Sequence, residues 1–267
     1  MCPTEKNSLK IGLIAGNGDL PARFIRALEH QGGEVVPVYL GIDYSVGQAG
    51  AIISHFKERH VTDLVMVGGL QRPNLLTLKV DKRGMQIVGK LLRRSLGDDA
   101  LLRVIREELE SEGFRIHGIH EFMPELLFPL GRHVVPQGWR GSDGAISSGF
   151  RAAKEHGAQD LGQSVIIDGL DGHVMAREDK RGTDYLMKSV ASLEGIKILV
   201  KVSKPQQDHA LDLPTIGIKT VAMAKSCGIS GIVVEAGATL SPDFDAVSDS
   251  CRQQDIFLCG MGVDECL

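Results

Sequence analysis

The sequence predicts an α/β protein of two domains, and three observations carry that expectation. Short apolar runs recur along the chain, several closed by a glycine turn and followed by residues at helical spacing. The 32 glycines gather beside these runs, where tight turns between strands and helices need them. An aperiodic stretch at 128–144 holds Pro129, Gly131, Pro136, Gly138, Gly141 and Gly144, and it divides a chain long enough for two modest domains. The expected organisation is an N-terminal domain over 1–130, a linker over 131–144 and a C-terminal domain over 145–267.

Residues 9–15 are apolar and read as a strand, followed by the turn Gly16-Asn17-Gly18-Asp19 and a helix over 22–31. Pro21 suits the first helical turn, where a missing N–H costs nothing. Backbone N–H groups at such a turn can approach a phosphate. Residues 35–40 form a second strand and 60–67 a third, ending in Gly68-Gly69-Leu70-Gln71-Arg72. Ligands of open α/β sheets bind at strand carboxyl ends, so Gly69 and Arg72 are candidates for an anion or sugar. Two helices are expected over 85–96 and 99–112, and a short strand over 114–117. His120 and Glu121 then make a polar cluster, without the His-Glu-x-x-His spacing of a zinc site.

Beyond the aperiodic stretch a helix is expected over 142–156. Two strand-like runs, 162–168 and 173–177, flank Gly169-Leu170-Asp171-Gly172 and read as a hairpin. A helix should start near Thr183 or Asp184, either of which could cap it. Strands at 196–202, 231–235 and 256–260 alternate with helices at 216–227 and 244–254.

Bulk properties narrow the function. A net charge of -4 and an aromatic content of 4% argue against nucleic-acid binding. The five cysteines, Cys2, Cys227, Cys251, Cys259 and Cys266, lack paired spacing, so they suggest reduced thiols in a cytoplasmic protein. The first residues contain no apolar signal core, and no run approaches the ~20 apolar residues that cross a bilayer.

The stretch 201–217 is the first candidate for chemistry. It places Lys201, Lys204, Gln206, Gln207, Asp208, His209 and Asp212 at the end of an apolar strand, between or beside Pro205 and Pro214. Its lysines suit phosphate, and Asp208 and Asp212 suit a divalent metal or an oriented water. Asp184 is a further candidate carboxylate. Two other functions compete. Gly16, Gly18 and Asp43 outline an NAD(P)-dependent oxidoreductase, with Pro21 where a third glycine is expected. A non-catalytic nucleotide-sugar-binding protein is the other.

Several motifs in order resemble one family. They are the 11–21 segment, Gly97-Asp98-Asp99-Ala100, His120-Glu121-Phe122-Met123-Pro124, Asp160-Leu161-Gly162-Gln163, Gly182-Thr183-Asp184, Lys204-Pro205-Gln206-Gln207-Asp208, Asp212-Leu213-Pro214-Thr215-Ile216-Gly217 and Glu235-Ala236-Gly237. Together, from about residue 9 to 260, they resemble the UDP-2,3-diacylglucosamine pyrophosphatases of lipid A biosynthesis, the form unrelated to calcineurin-like phosphoesterases. The resemblance implies a Rossmann-like N-terminal domain and a mixed α/β C-terminal domain. It implies hydrolysis of UDP-2,3-diacylglucosamine to UMP and 2,3-diacylglucosamine 1-phosphate (lipid X), with Mg2+ and with water attacking the α-phosphorus.

The resemblance places the catalytic aspartate at Asp208 or Asp212, with Lys204 offsetting phosphate charge and Asp184 joining the metal. Gly16, Asn17, Gly18, Asp19, Gly69, Arg72, His120, Glu121, Gln163, Thr183, Gln207 and Glu235 become candidate substrate-binding residues. The acyl chains imply an apolar groove and a peripheral contact at the inner face of the inner membrane. A homodimer accords with a protein of this size. Two positions depart from the family pattern. Gln206 stands where a glycine is usual, and Arg181 where an acid is usual, with Glu178 near enough to substitute.

Overall fold

The structure is a computed structural model that describes residues 9–69, 79–93 and 98–263. The chain divides into two compact units, 1–124 and 125–267. Both are α/β, as the alternation of apolar runs and helical periodicity requires.

The first unit runs β1 (Lys10–Ala15), α1 (Leu20–His30), β2 (Glu34–Tyr39), α2 (Ala49–Glu58), β3 (Asp63–Val67), α3 (Lys82–Arg93), α4 (Asp98–Ser111), β4 (Arg115–His117) and α5 (Ile119–Phe122). Its strands are all parallel, in the order β2-β1-β3-β4, which is a Rossmann-like arrangement. The central strand β1 is apolar throughout its buried length because both of its faces are covered. Pro21 sits in the first turn of α1, and Phe24 and Leu28 bury that helix. Phe56 brings α2 against the sheet. A Cβ on Gly12 would lie 2.8 Å from its ring and 2.4 Å from Leu64, so this position must be bare. The helix α2 follows no expectation from the sequence, because Gly50 and two isoleucines weaken its amphipathic pattern.

The second unit runs β5 (Gly131–Val134), α6 (Asp143–Ala158), β6 (Ser164–Asp168), β7 (Val174–Arg177), α7 (Thr183–Ser189), β8 (Lys197–Lys201), α8 (Ile218–Ser226), β9 (Ile229–Glu235), α9 (Phe244–Gln253) and β10 (Phe257–Met261). The sheet order is β5-β10-β9-β8-β6-β7, with β8, β9 and β10 parallel and β5, β6 and β7 added antiparallel. The segment 131–144, expected as a linker, contains β5, which pairs with β10. Its aperiodic look has a local cause: a short edge strand is followed by Trp139 stacked on Phe257 at 4.3 Å, with Gly141 packed under the indole. The division between units falls earlier, after Pro124.

The central strands are buried on both faces, and their residues alternate between two cores. Ile166, Leu199, Ile232, Val234 and Leu258 face α7, α8 and α9. Val165, Ile167, Ile198, Val200, Val233 and Phe257 face α6 through Ile146, Phe150 and Ala153. Each large apolar side chain buried here contributes roughly 1.5–3 kcal/mol. Cys227, Cys251 and Cys259 are buried free thiols, and Cys2 and Cys266 lie outside the described residues.

Candidate active site

The sheet of the second unit gathers polar residues along one edge. Because β8, β9 and β10 are parallel, their carboxyl ends lie together. The antiparallel β6 begins at that edge, with Ser164 opposite Lys201. The hairpin returns there, with Arg177 opposite Val165. Gln163, Glu178, Lys201, Ser203 and Glu235 therefore occupy the edge where α/β sheets bind ligands.

Hydrogen bonds join them. Lys154 on α6 donates its Nζ to both oxygens of Glu235 at 2.7 Å and to the Ser203 carbonyl at 2.9 Å. The buried Glu235 also accepts the Ser203 N–H at 2.8 Å. The Ser203 hydroxyl lies 3.4 Å from Gln207 Oε1 and 3.2 Å from His209 Nε2. Gln207 Nε2 donates to Asp212 Oδ2 at 2.8 Å, and lies 3.5 Å from Gln163 Oε1. The Gln163 N–H donates to Glu178 Oε2 at 2.8 Å, and the Thr183 hydroxyl donates to Glu178 Oε1 at 2.7 Å. Gly162 permits this approach, since a Cβ there would lie 2.8 Å from the Glu178 carbonyl oxygen.

Lys201 lies in the same edge, buried, with Nζ donating to the Thr215 carbonyl at 3.1 Å. Burial lowers its pKa, against the opposing pull of Glu178, Asp184 and Asp212. Glu178, Asp184 and Asp212 are thus the acidic groups whose charge acts on Lys201.

Asp208 and Asp212 differ sharply. Asp208 Oδ1 accepts the N–H of Ala210 at 3.0 Å, and its carbonyl accepts the N–H groups of Leu211 and Asp212. It builds the turn that presents Asp212 to Gln207. Lys204 Nζ donates to Asp160 at 3.0 Å. Gln206 donates to the Gly157 carbonyl at 2.8 Å, capping the end of α6, and it does not adopt positive φ. A glycine is thus not demanded at 206 by the backbone. Arg181 pairs with Asp179 and lies 3.6 Å over the Tyr185 ring, while Glu178 takes the place in the polar edge.

The cap expected at Thr183 or Asp184 is corrected: Gly182, at φ 84°, is the N-cap of α7, because the Thr183 hydroxyl is drawn to Glu178. Asp184 is exposed in the first turn and acts on Lys201. Hydrogen bonds through Glu178 and Ser203 thus join Gln163, Thr183, Gln207, Asp212 and Glu235 at this edge, Asp184 acts electrostatically on Lys201, and Asp208 and Lys204 sit in the same loop.

The candidates in the first unit form groups of their own. The Gly16 N–H donates to the Val67 carbonyl at 2.7 Å, and Asn17 and Gly69 exchange two backbone hydrogen bonds at 2.9 Å. Gly68 has φ 100°, and a Cβ on it would lie 2.7 Å from the Asn17 carbonyl. These glycines let two turns close on each other. Gly18, at φ 105°, and the exposed Asp19, 3.9 Å from Arg23, continue the turn. Arg72 lies outside the described residues. Asp43 accepts the Tyr39 N–H at 2.8 Å in the turn after β2. Glu121 accepts the Gly118 N–H at 2.7 Å and meets His117 Nδ1 at 2.9 Å, while its neighbour His120 lies within the same short helix α5. His117 Nε2 lies 2.8 Å from Asp63, which Arg115 also grips. Burial opposes the charge on His117, but Glu121 and Asp63 outweigh it and raise its pKa.

Sequence reasoning did not find Lys154 or Ser203, and it read Lys201 as a phosphate-facing lysine of the loop rather than as a buried one. Lys201 had a signal, a lysine closing an otherwise apolar strand. Lys154 had none, because its partner lies 81 positions away.

Among the described residues no three His, Cys, Asp or Glu side chains converge as a preformed metal site. Magnesium needs less, since one or two carboxylates suffice when waters and substrate phosphates complete the shell. Asp212 and Asp184, which both act electrostatically on Lys201, carry hard oxygens of that kind.

Comparison with known proteins places this edge in context. Residues 10–126 match the model of the LpxI N-terminal domain, and residues 139–259 match that of the LpxI C-terminal domain. The chain is 34% identical over 280 residues to the UDP-2,3-diacylglucosamine pyrophosphatase LpxI of Caulobacter vibrioides, an alignment covering 96% of this chain and 99% of that protein.

Proposed function

The chain belongs to the LpxI family, and on that premise we propose that it hydrolyses the pyrophosphate of UDP-2,3-diacylglucosamine in lipid A biosynthesis. The observation that carries this reading is the match to a pyrophosphatase of that specificity along nearly the whole length of both proteins. Neither the domain matches nor this relative supports the oxidoreductase or the non-catalytic reading.

In the proposed reaction, a water oxygen bonds to the α-phosphorus and the bond from that phosphorus to the bridging oxygen breaks. UMP leaves with the water oxygen, 2,3-diacylglucosamine 1-phosphate leaves with the bridging oxygen, and the water proton passes to a base or to solvent. Asp212 is the carboxylate we assign to orienting or deprotonating that water, since Gln207 ties it into the polar network of the edge, whereas Asp208 Oδ1 accepts a backbone N–H of its own turn. Lys201 lies buried at the same edge, within electrostatic reach of Asp212. Asp212 and Asp184 would hold magnesium, which supplies neutralisation of the phosphoryl oxygens when bound. Gln163, Thr183 and Glu235 shape the surrounding wall through Gln207, Glu178 and Ser203.

Among the described residues no helix is long and apolar enough to cross a membrane. We assign the substrate's acyl chains to a peripheral contact with the membrane. UMP release from UDP-2,3-diacylglucosamine, followed with magnesium and with EDTA, tests the whole reading. Release in neither condition by folded protein would remove the activity, and equal release in both would remove the metal.

A further inference from the structure

Gln207 is buried, and its amide can face only one way. Its Oε1 accepts the Lys204 N–H at 3.1 Å and faces the Ser203 hydroxyl at 3.4 Å. Its Nε2 donates to Asp212 Oδ2 at 2.8 Å. Turning the amide over would set an amino group against a backbone N–H and an oxygen against a carboxylate. The orientation is thus imposed by the chain at 203–204. That chain is itself immobilised, since the N–H and carbonyl of Ser203 are taken by Glu235 and Lys154, a pair whose carboxylate is buried. An unbroken series of contacts therefore runs from the ion pair through Ser203 and Gln207 to Asp212.

We propose that Gln207 is a positioning residue that holds the Asp212 carboxylate in its working orientation without itself touching the substrate. This rests on the assignment of Asp212 as the working carboxylate. Displacement of about 1 Å in a catalytic group can cost about 100-fold in rate, so even a small shift of the carboxylate on losing this bond is felt.

The test is steady-state kinetics of the full chain with UDP-2,3-diacylglucosamine. Gln207→Leu should lower kcat about 10–100-fold and leave KM within about twofold, the pattern of a lost transition-state contact. In an Asp212→Asn background the same change should cost nothing further, because Gln207 acts only through Asp212. A raised KM with unchanged kcat would overturn the proposal and make Gln207 a substrate ligand. Equal losses in both backgrounds would also overturn it, in favour of a general folding role. Wild-type turnover by Asp212→Asn would instead remove the premise, an outcome distinct from either. Should Gln207→Leu fail to fold, Gln207→Glu keeps the size and exchanges the donor for an oxygen, and the same kinetic criteria decide.

Discussion

Both units end their parallel strands in a polar edge, but they build it from different atoms. In the first unit the turns after β1 and β3 are closed by backbone groups alone: Gly16 to Val67, and Asn17 with Gly69. In the second unit the edge is made of side chains, from Lys154 and Glu235 through Ser203 and Gln207 to Asp212. The first needs residues without a Cβ and tolerates little else. The second needs particular functional groups, and its backbone tolerates more. In the first unit Gly16, Gly68 and Gly69 let the two turns pack backbone against backbone.

This contrast can be broken in several ways. The largest effect is expected at Asp212: Asp212→Ala should lower kcat about 10²–10⁴-fold, the usual worth of an acid–base group, in an assay of UMP release. Asp208→Ala should lower it far less, and parity between the two would return the catalytic carboxylate to an open choice. Next, Lys154→Met should cost about 3–5 kcal/mol in urea unfolding, because it leaves the Glu235 carboxylate buried without its cation. A cost below about 1 kcal/mol would mean that the ion pair does not anchor the edge.

Gly68→Ala should cost about 1–3 kcal/mol by the same measurement, because alanine at φ 100° is strained and its Cβ meets the Asn17 carbonyl. The smallest effect is expected from Gln206→Gly, within about 1 kcal/mol, since the side chain lost is a helix-end contact at the surface and no left-handed backbone is relieved.

The pH dependence of stability separates the units again. His117 has a raised pKa in the folded chain, so its contribution is fully present below the unfolded value of 6.5 and is lost as pH rises through the folded value. The thermal midpoint of the chain relative to that of His117→Asn should therefore narrow as pH rises above 6.5. A constant difference across that range would show that His117 is not held charged between Asp63 and Glu121.

The elements were legible where burial on both faces makes a run apolar, as over Ile11–Ala15 in β1, Ile198–Val200 in β8 and all of β10. The edge strand β5 was not, because four residues with a glycine and an exposed arginine carry no period. In the candidate site, Asp212 and Gln207 were visible because polar groups crowd between two prolines. The distinction between Asp208 and Asp212 was not, as it depends on which side chain the turn consumes.

The sequence by itself determined an α/β chain in two parts, the location of the polar loop at 201–217 and the motifs shared with one family. Each follows from local pattern, where strand period, turn chemistry and residue order are carried by neighbours. Only the tertiary structure decided that Lys201 is buried, with its Nζ on the Thr215 carbonyl, and that Lys204 answers to Asp160. It alone joined Lys154 to Glu235 across 81 positions. Such pairings arise when strands distant in sequence end at one edge of a sheet, and their order there is set by the packing of the two cores rather than by any local signal.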